Sequence, residues 1–198
     1  MKIMNNRKGI TMSQKAVLFL AEGFEEIEAL TVVDLCRRAG AEIETASITG
    51  KKEVESSHKI TVMSDILLED VDFSNVSMMI LPGGMPGTRN LEACEPLMAQ
   101  LDAFYEQGRY ISAICAAPSI FAHRGYLKGR PACSFPSFES HLAEGGAVVN
   151  RNEVTVTDHM IMSRGMGCAI PFGLAIVERL AGAQKAAEVR EKIVYEQR

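Results

Sequence analysis

Ile111-Ser112-Ala113-Ile114-Cys115-Ala116-Ala117-Pro118 is the stretch on which the fold turns. A short apolar run of strand type gives way abruptly to Ala-Ala-Pro. Proline is excluded from a helix interior but tolerated in its first turn, where a backbone N–H has no partner anyway. The stretch predicts a strand to about Ile114, a turn at Cys115 and a helix from about Ala116 to Arg124, closed by Gly125. A thiol then lies at the carboxyl edge of a sheet, where open α/β sheets bind ligands, and at the positive end of a helix, which lowers a thiol pKa. A buried cysteine serving as a small hydrophobe is the competing reading, and these residues alone leave both open.

Working outward, Ala16–Ala21 and Ser77–Leu81 are continuous apolar runs, the mark of strands buried on both faces. A helix is expected over Glu25–Ala39, with acids first, Arg37 and Arg38 last, and Gly40 as its stop. Glu42–Ile48 reads as a strand, and Glu53–Ser56 with Lys59–Met63 as a small hairpin. Pro96–Glu106 is a helix with Leu97, Met98, Leu101 and Tyr105 on its apolar face. Pro131–Ser134, Ala147–Val149, Val154–Thr157 and Met160–Ser163 are short strands, Phe138–Glu144 a helical turn, and Ala169–Leu180 and Gln184–Tyr195 the last helices. Strands alternating with helices predict parallel β-α-β units in one domain over residues 15–198. Residues 1–14 are polar, lack the apolar region of a signal peptide, and are expected to be a disordered extension, with Met12 as an alternative start.

The chain of 198 residues is long enough for one sizeable core. Its net charge of -4 and its lack of a basic run argue against nucleic acid and anionic membranes as partners. No apolar run approaches the roughly 20 residues that span a bilayer. Cys36, Cys94, Cys115, Cys133 and Cys168 are odd in number, widely spaced and free of C-x-x-C, which argues against a disulfide framework or structural zinc. Free thiols in the cytoplasm are the simplest expectation, with no metal or cofactor.

Three loops follow apolar strands and would share one sheet edge: Glu22–Glu28, Pro82–Gly87 and the Cys115 turn. They offer carboxylates, backbone N–H groups made approachable by glycine, and a thiol. Nucleophile, acid or base, and oxyanion donors make a minimal set for attack on a carbonyl. Glu25 and Glu26 read as solvated first-turn charges, whereas Glu28, one turn deeper, can aim across the edge. Of the four histidines, none neighbours Cys115 in sequence, and His58 is the best placed. Cys133 and Cys168 read as packing residues and Arg164 as structural.

Glu25-Glu26-Ile27-Glu28, Arg37-Arg38-Ala39-Gly40, Leu81-Pro82-Gly83-Gly84, Ala113-Ile114-Cys115-Ala116, Ser163-Arg164-Gly165 and Ala175-Ile176-Val177, in this order, resemble the ThiJ/PfpI superfamily, in its DJ-one branch. The resemblance implies a flavodoxin-like three-layer sandwich of the class I glutamine amidotransferase type, mostly parallel with helices on both faces, and a homodimer. It implies that Cys115 is a nucleophile on a strained elbow, that Glu28 is its hydrogen-bond partner, and that the Gly83-Gly84 loop and Ala116 give oxyanion N–H groups, from Gly84 and Ala116. The implied activity is cofactor-free glyoxalase or deglycase chemistry on a small-molecule aldehyde or glycated adduct, or oxidative-stress sensing. Glyoxalase members carry a histidine before the proline that follows the elbow helix; here Phe135 precedes Pro136. The protease branch has a histidine after the nucleophile; here Ala116 stands there, which argues against a peptidase. An arginine lining the branch's anion site is replaced by His58, while Arg38 is retained.

Overall fold

A computed structural model describes residues 15–196. Its centre is a seven-stranded sheet in the order β10-β11-β7-β6-β1-β2-β5. The strands are β1 (Lys15–Leu20), β2 (Ile43–Ser47), β5 (Ile66–Leu67), β6 (Val76–Leu81), β7 (Tyr110–Ile114), β10 (Val154–Thr157) and β11 (Met160–Ser163). All neighbours run parallel except β10 with β11. The hairpin of β3 (Glu53–Glu55) and β4 (Thr61–Met63) lies outside the main sheet, as does the pair β8 (Pro131–Ala132) and β9 (Val148–Val149).

Continuous apolar strands follow from a sheet covered on both sides. Successive side chains alternate, so β1 sends Ala16, Leu18 and Leu20 to one face and Val17 and Phe19 to the other. The first face is covered by α1 (Glu26–Arg38), α6 (Ala169–Ala181) and α7 (Ala183–Lys192), through Val32, Leu35, Phe172, Ile176 and Val189. The second is covered by α2 (Gly87–Glu92), α3 (Glu95–Glu106), α4 (Pro118–His123) and α5 (Glu139–Glu144), through Leu91, Leu101, Phe104, Phe121 and Leu142. This is the expected flavodoxin-like three-layer sandwich.

Several boundaries differ, each for a local reason. The helix after Cys115 begins at Pro118 rather than Ala116, because Cys115 takes φ 66° and Ala117 N–H turns back to the Ile114 carbonyl at 3.1 Å. The glycine-rich loop after β6 ends in α2, a short helix not anticipated. On α3 the fourth core residue is Phe104; Tyr105 is half-buried and stacks on Tyr126 at 4.0 Å. The Pro131–Ser134 strand is only two residues long, since Cys133 and Ser134 leave it toward the Cys115 turn. The anticipated extension at residues 1–14 lies outside the described residues.

Candidate active site

Cys115 follows β7 and is flanked by the ends of β6 and β11. Its backbone is pinned on both sides: Cys115 N–H donates to the Ser163 carbonyl at 3.0 Å, and Phe135 N–H donates to the Cys115 carbonyl at 2.8 Å. These bonds hold a non-glycine residue at φ 66°, a conformation costing on the order of 1–3 kcal/mol unless its surroundings enforce it. The strained elbow expected from the resemblance is present, and Cys115 on it is half-buried.

Glu28 stands in the first turn of α1 and is 1% exposed. Glu25 caps the helix, its Oε2 accepting from Glu28 N–H at 2.6 Å, while Glu25 N–H donates to the Gly83 carbonyl at 2.9 Å. The glycine loop is thereby stitched to the start of α1. Gly83 N–H donates to Glu28 Oε2 at 3.0 Å. Gly83 thus holds the carboxyl rather than an oxyanion. A Cβ on Gly83 would stand 2.5 Å from both the Cys115 Cβ and Glu28 Oε2, so only glycine lets the acid approach the elbow. Glu28 Oε1 has no hydrogen-bond partner of good geometry and faces the Cys115 sulfur, with which it can share a proton. Gly84 and Ala116 present their amides to that sulfur.

Burial raises the Glu28 pKa to about 7, helped by the neighbouring Glu25 charge and opposed by the thiol and the Gly83 amide. Burial also pushes the Cys115 thiol up, and the charge of an ionised Glu28 pushes it further. The expected lowering of the thiol pKa is therefore corrected: burial and the Glu28 charge raise it. The α4 helix has six residues, and its Pro118 has no N–H to offer, so the dipole is weak. The anion forms when the shared proton rests on Glu28 and the two amides face the sulfur.

Glu25 and Glu26 are not the solvated charges expected. They are 8% and 6% exposed, because the β6 loop and the hairpin fold over them. His58 lies on the hairpin's turn and pairs its Nδ1 with Glu26 Oε1 at 2.9 Å, which raises the His58 pKa. Glu25, Glu26 and His58 each bring one ligand-type atom within 4.8 Å of the others, but the His58–Glu26 pair and the Glu25 cap already use this set. Arg38 sits at the far end of α1, bonded to Asp34 at 2.6 Å, and does not meet Cys115 within the chain. Phe135 reaches the elbow through its backbone and is itself 45% exposed; Pro136 beside it is exposed and opens a 3₁₀ turn. Cys133 is buried against the Met162 carbonyl, and Arg164 pairs with Glu139 at 3.6 Å.

The sequence reading missed two parts of this site. Gly165, at φ 155°, adjoins the thiol, the acid and the Phe135 ring: a Cβ there would lie 3.9 Å from Cys115 Sγ, 3.8 Å from Glu28 Oε1 and 3.3 Å from Phe135 Cδ2. Phe135 N–H was the other. The parallel register of β11 on β7, Ser163 beside Ile114, carries the signal for Gly165, since each next residue must then adjoin.

The chain is similar to several known proteins. The family model described as the DJ-1/PfpI family matches residues 14–179. Protein DJ-1 homolog B of Arabidopsis thaliana is 34% identical over 197 residues, which are 96% of this chain but 45% of that protein; the chain spans about half of that relative's length. The glutathione-independent glyoxalase DJR-1.2 of Caenorhabditis elegans is 31% identical, covering 87% of this chain and 92% of that one. The structure of oxidized Toxoplasma gondii DJ-1 superposes with a TM-score of 0.87 at 31% identity, covering 92% of this chain and 99% of the other. The chain belongs to the DJ-1/PfpI family, in its DJ-1 branch.

Proposed function

We propose that this protein converts small reactive aldehydes through Cys115, with Glu28 moving the proton and no cofactor. The observation that carries the reading is the buried Glu28 carboxyl facing the Cys115 sulfur beneath the Gly84 and Ala116 amides. For methylglyoxal the sulfur adds to the aldehyde carbon, giving a hemithioacetal. Glu28 takes the proton from that carbon and returns it to the neighbouring ketone carbon, giving a thioester of lactate. Water then cleaves the thioester, so one methylglyoxal and one water leave as lactate and the thiol is restored. The name of the Caenorhabditis elegans relative, a glutathione-independent glyoxalase, supports this class of reaction. Phe135 replaces the histidine expected before Pro136, so Glu28 works without that second group; such help is typically worth about 10²–10⁴ in rate, and turnover is correspondingly slow. Purified protein is expected to convert methylglyoxal to lactate, and Cys115→Ala to abolish the conversion. Equal rates in the two proteins would reject the reading.

A second reading, a protective oxidation sensor with little turnover, is favoured by the Gly84 and Ala116 amides, which face the Cys115 sulfur and could hold a sulfinate oxygen. Two equivalents of peroxide would convert the Cys115 thiol to a sulfinate, releasing two waters. Peptide mass spectrometry should then show two oxygens on Cys115 before any on the other four thiols; uniform oxidation would count against it. In either reading we propose a cytoplasmic homodimer.

A further inference from the structure

We infer that the site selects aldehydes carrying an apolar, above all aromatic, substituent, and that the Phe135 ring sets this choice. The inference rests on the aldehyde reading and adds its substrate class. Three groups converge beside Gly165, each within 4 Å of where its Cβ would stand: the Cys115 sulfur at 3.9 Å, Glu28 Oε1 at 3.8 Å and Phe135 Cδ2 at 3.3 Å. A substituent on a carbon bonded to the sulfur and within reach of the Glu28 oxygen passes in front of Gly165, beside the Phe135 ring. The substituent then meets the edge of a phenyl ring.

The residues that follow the two glycines of the site are apolar too. Met85 follows the Gly84 amide and is 36% exposed; Met166 follows Gly165 and is 56% exposed; the Phe135 side chain is 45% exposed. Large exposed apolar side chains are costly to leave bare and often mark binding sites. Cations that would favour an anionic substrate are engaged elsewhere: His58 with Glu26, Arg38 with Asp34 and Arg164 with Glu139. The Phe135 ring can move only about its side-chain torsions, because its N–H is fixed to the elbow carbonyl at 2.8 Å. It is a rigid wall at little entropic cost. An aromatic substituent gains both buried area and ring–ring contact there, where a methyl group gains little.

The test compares phenylglyoxal with methylglyoxal, both 2-oxoaldehydes reacting by the same steps. Wild-type kcat/KM is expected to favour phenylglyoxal by about tenfold or more, and Phe135→Ala to reduce that ratio to near one. If both substrates are consumed in a Cys115-dependent way but with equal kcat/KM, or if Phe135→Ala leaves the ratio intact, the selectivity is overturned and the aldehyde reading stands. If neither is consumed, the aldehyde reading fails and takes this inference with it. A second measurement needs no turnover: alkylation of Cys115 by N-phenyl iodoacetamide against iodoacetamide, each corrected by its rate with N-acetylcysteine. The phenyl reagent should gain several-fold in wild type and lose that gain in Phe135→Ala. No gain in wild type would sink the wall as a binding surface.

Discussion

At the scale of single residues, the site is a carboxyl and a thiol that contend for one proton. Glu28 is held near 7 by burial, whereas an exposed glutamate ionises near 4.5. The folded chain therefore binds this proton more tightly than the unfolded chain. Stability from Glu28 is complete below the ordinary carboxylate range and is lost as the pH rises toward 7. Glu28→Gln removes that loss and keeps an oxygen for the Gly83 N–H. It should raise stability at pH 8 by up to about 3 kcal/mol and much less at pH 5, read from denaturant midpoints at the two pH values. The same variant should slow aldehyde conversion by about 10²–10⁴. It should also abolish an inflection near pH 7 in the rate of Cys115 alkylation, measured after dialysis against a chelator because Glu25, Glu26 and His58 lie close by. A wild-type alkylation profile without that inflection would contradict the shared proton. Cys115 also carries backbone strain that glycine would not. Cys115→Gly should accordingly be more stable than Cys115→Ala by about 1 kcal/mol in urea unfolding.

At the scale of elements, three strand ends and the loops after them assemble the site. The loop after β6 touches α1 through Gly83 on both sides of its peptide, taking the Glu25 N–H and giving its own to Glu28. The approach allows no Cβ at Gly83. Gly83→Ala should push the β6 loop off α1, cost about 1–3 kcal/mol of stability, and reduce Cys115-dependent activity more than tenfold. Conversion by Gly83→Ala at the wild-type rate would show that the loop gives way without disturbing the pair. Element boundaries were legible where local chemistry is strong. Val154–Thr157 and Met160–Ser163 stand where they were expected, and α1 ends just before Gly40, whose φ of 73° suits the C-terminal stop. They were less legible at Ala116-Ala117, where helix-favouring residues are consumed by the elbow, and at Gly87, where a helix starts inside a glycine-rich run. In both places a tertiary hydrogen bond overrides propensity: Phe135 N–H on the Cys115 carbonyl, and Gly87 N–H on the Gly23 carbonyl at 3.1 Å.

At the scale of the molecule, two cores lie on opposite faces of one sheet, and the site sits at its carboxyl edge between them. Phe172 of α6 is fully buried in the core that also seats α1. Phe172→Ala should cost about 3–5 kcal/mol and lower activity only in proportion to the unfolded fraction, followed by circular dichroism and lactate formation together. A selective loss of activity in folded protein would instead tie α6 packing to the Glu28 position. The sequence by itself determined the alternation of apolar strands and helices, hence the class of fold, and it marked Cys115, Glu28 and the glycine loop, because period and turn chemistry are properties of neighbouring residues. Only the tertiary structure decided that Glu25 and Glu26 are covered, that Arg38 stands away from the thiol, that Gly83 serves the acid, and that Phe135 and Gly165 adjoin the thiol and the carboxyl. Burial and proton sharing arise between residues far apart in the chain, and no local pattern encodes the low-dielectric surroundings that shift a carboxyl from about 4.5 to about 7.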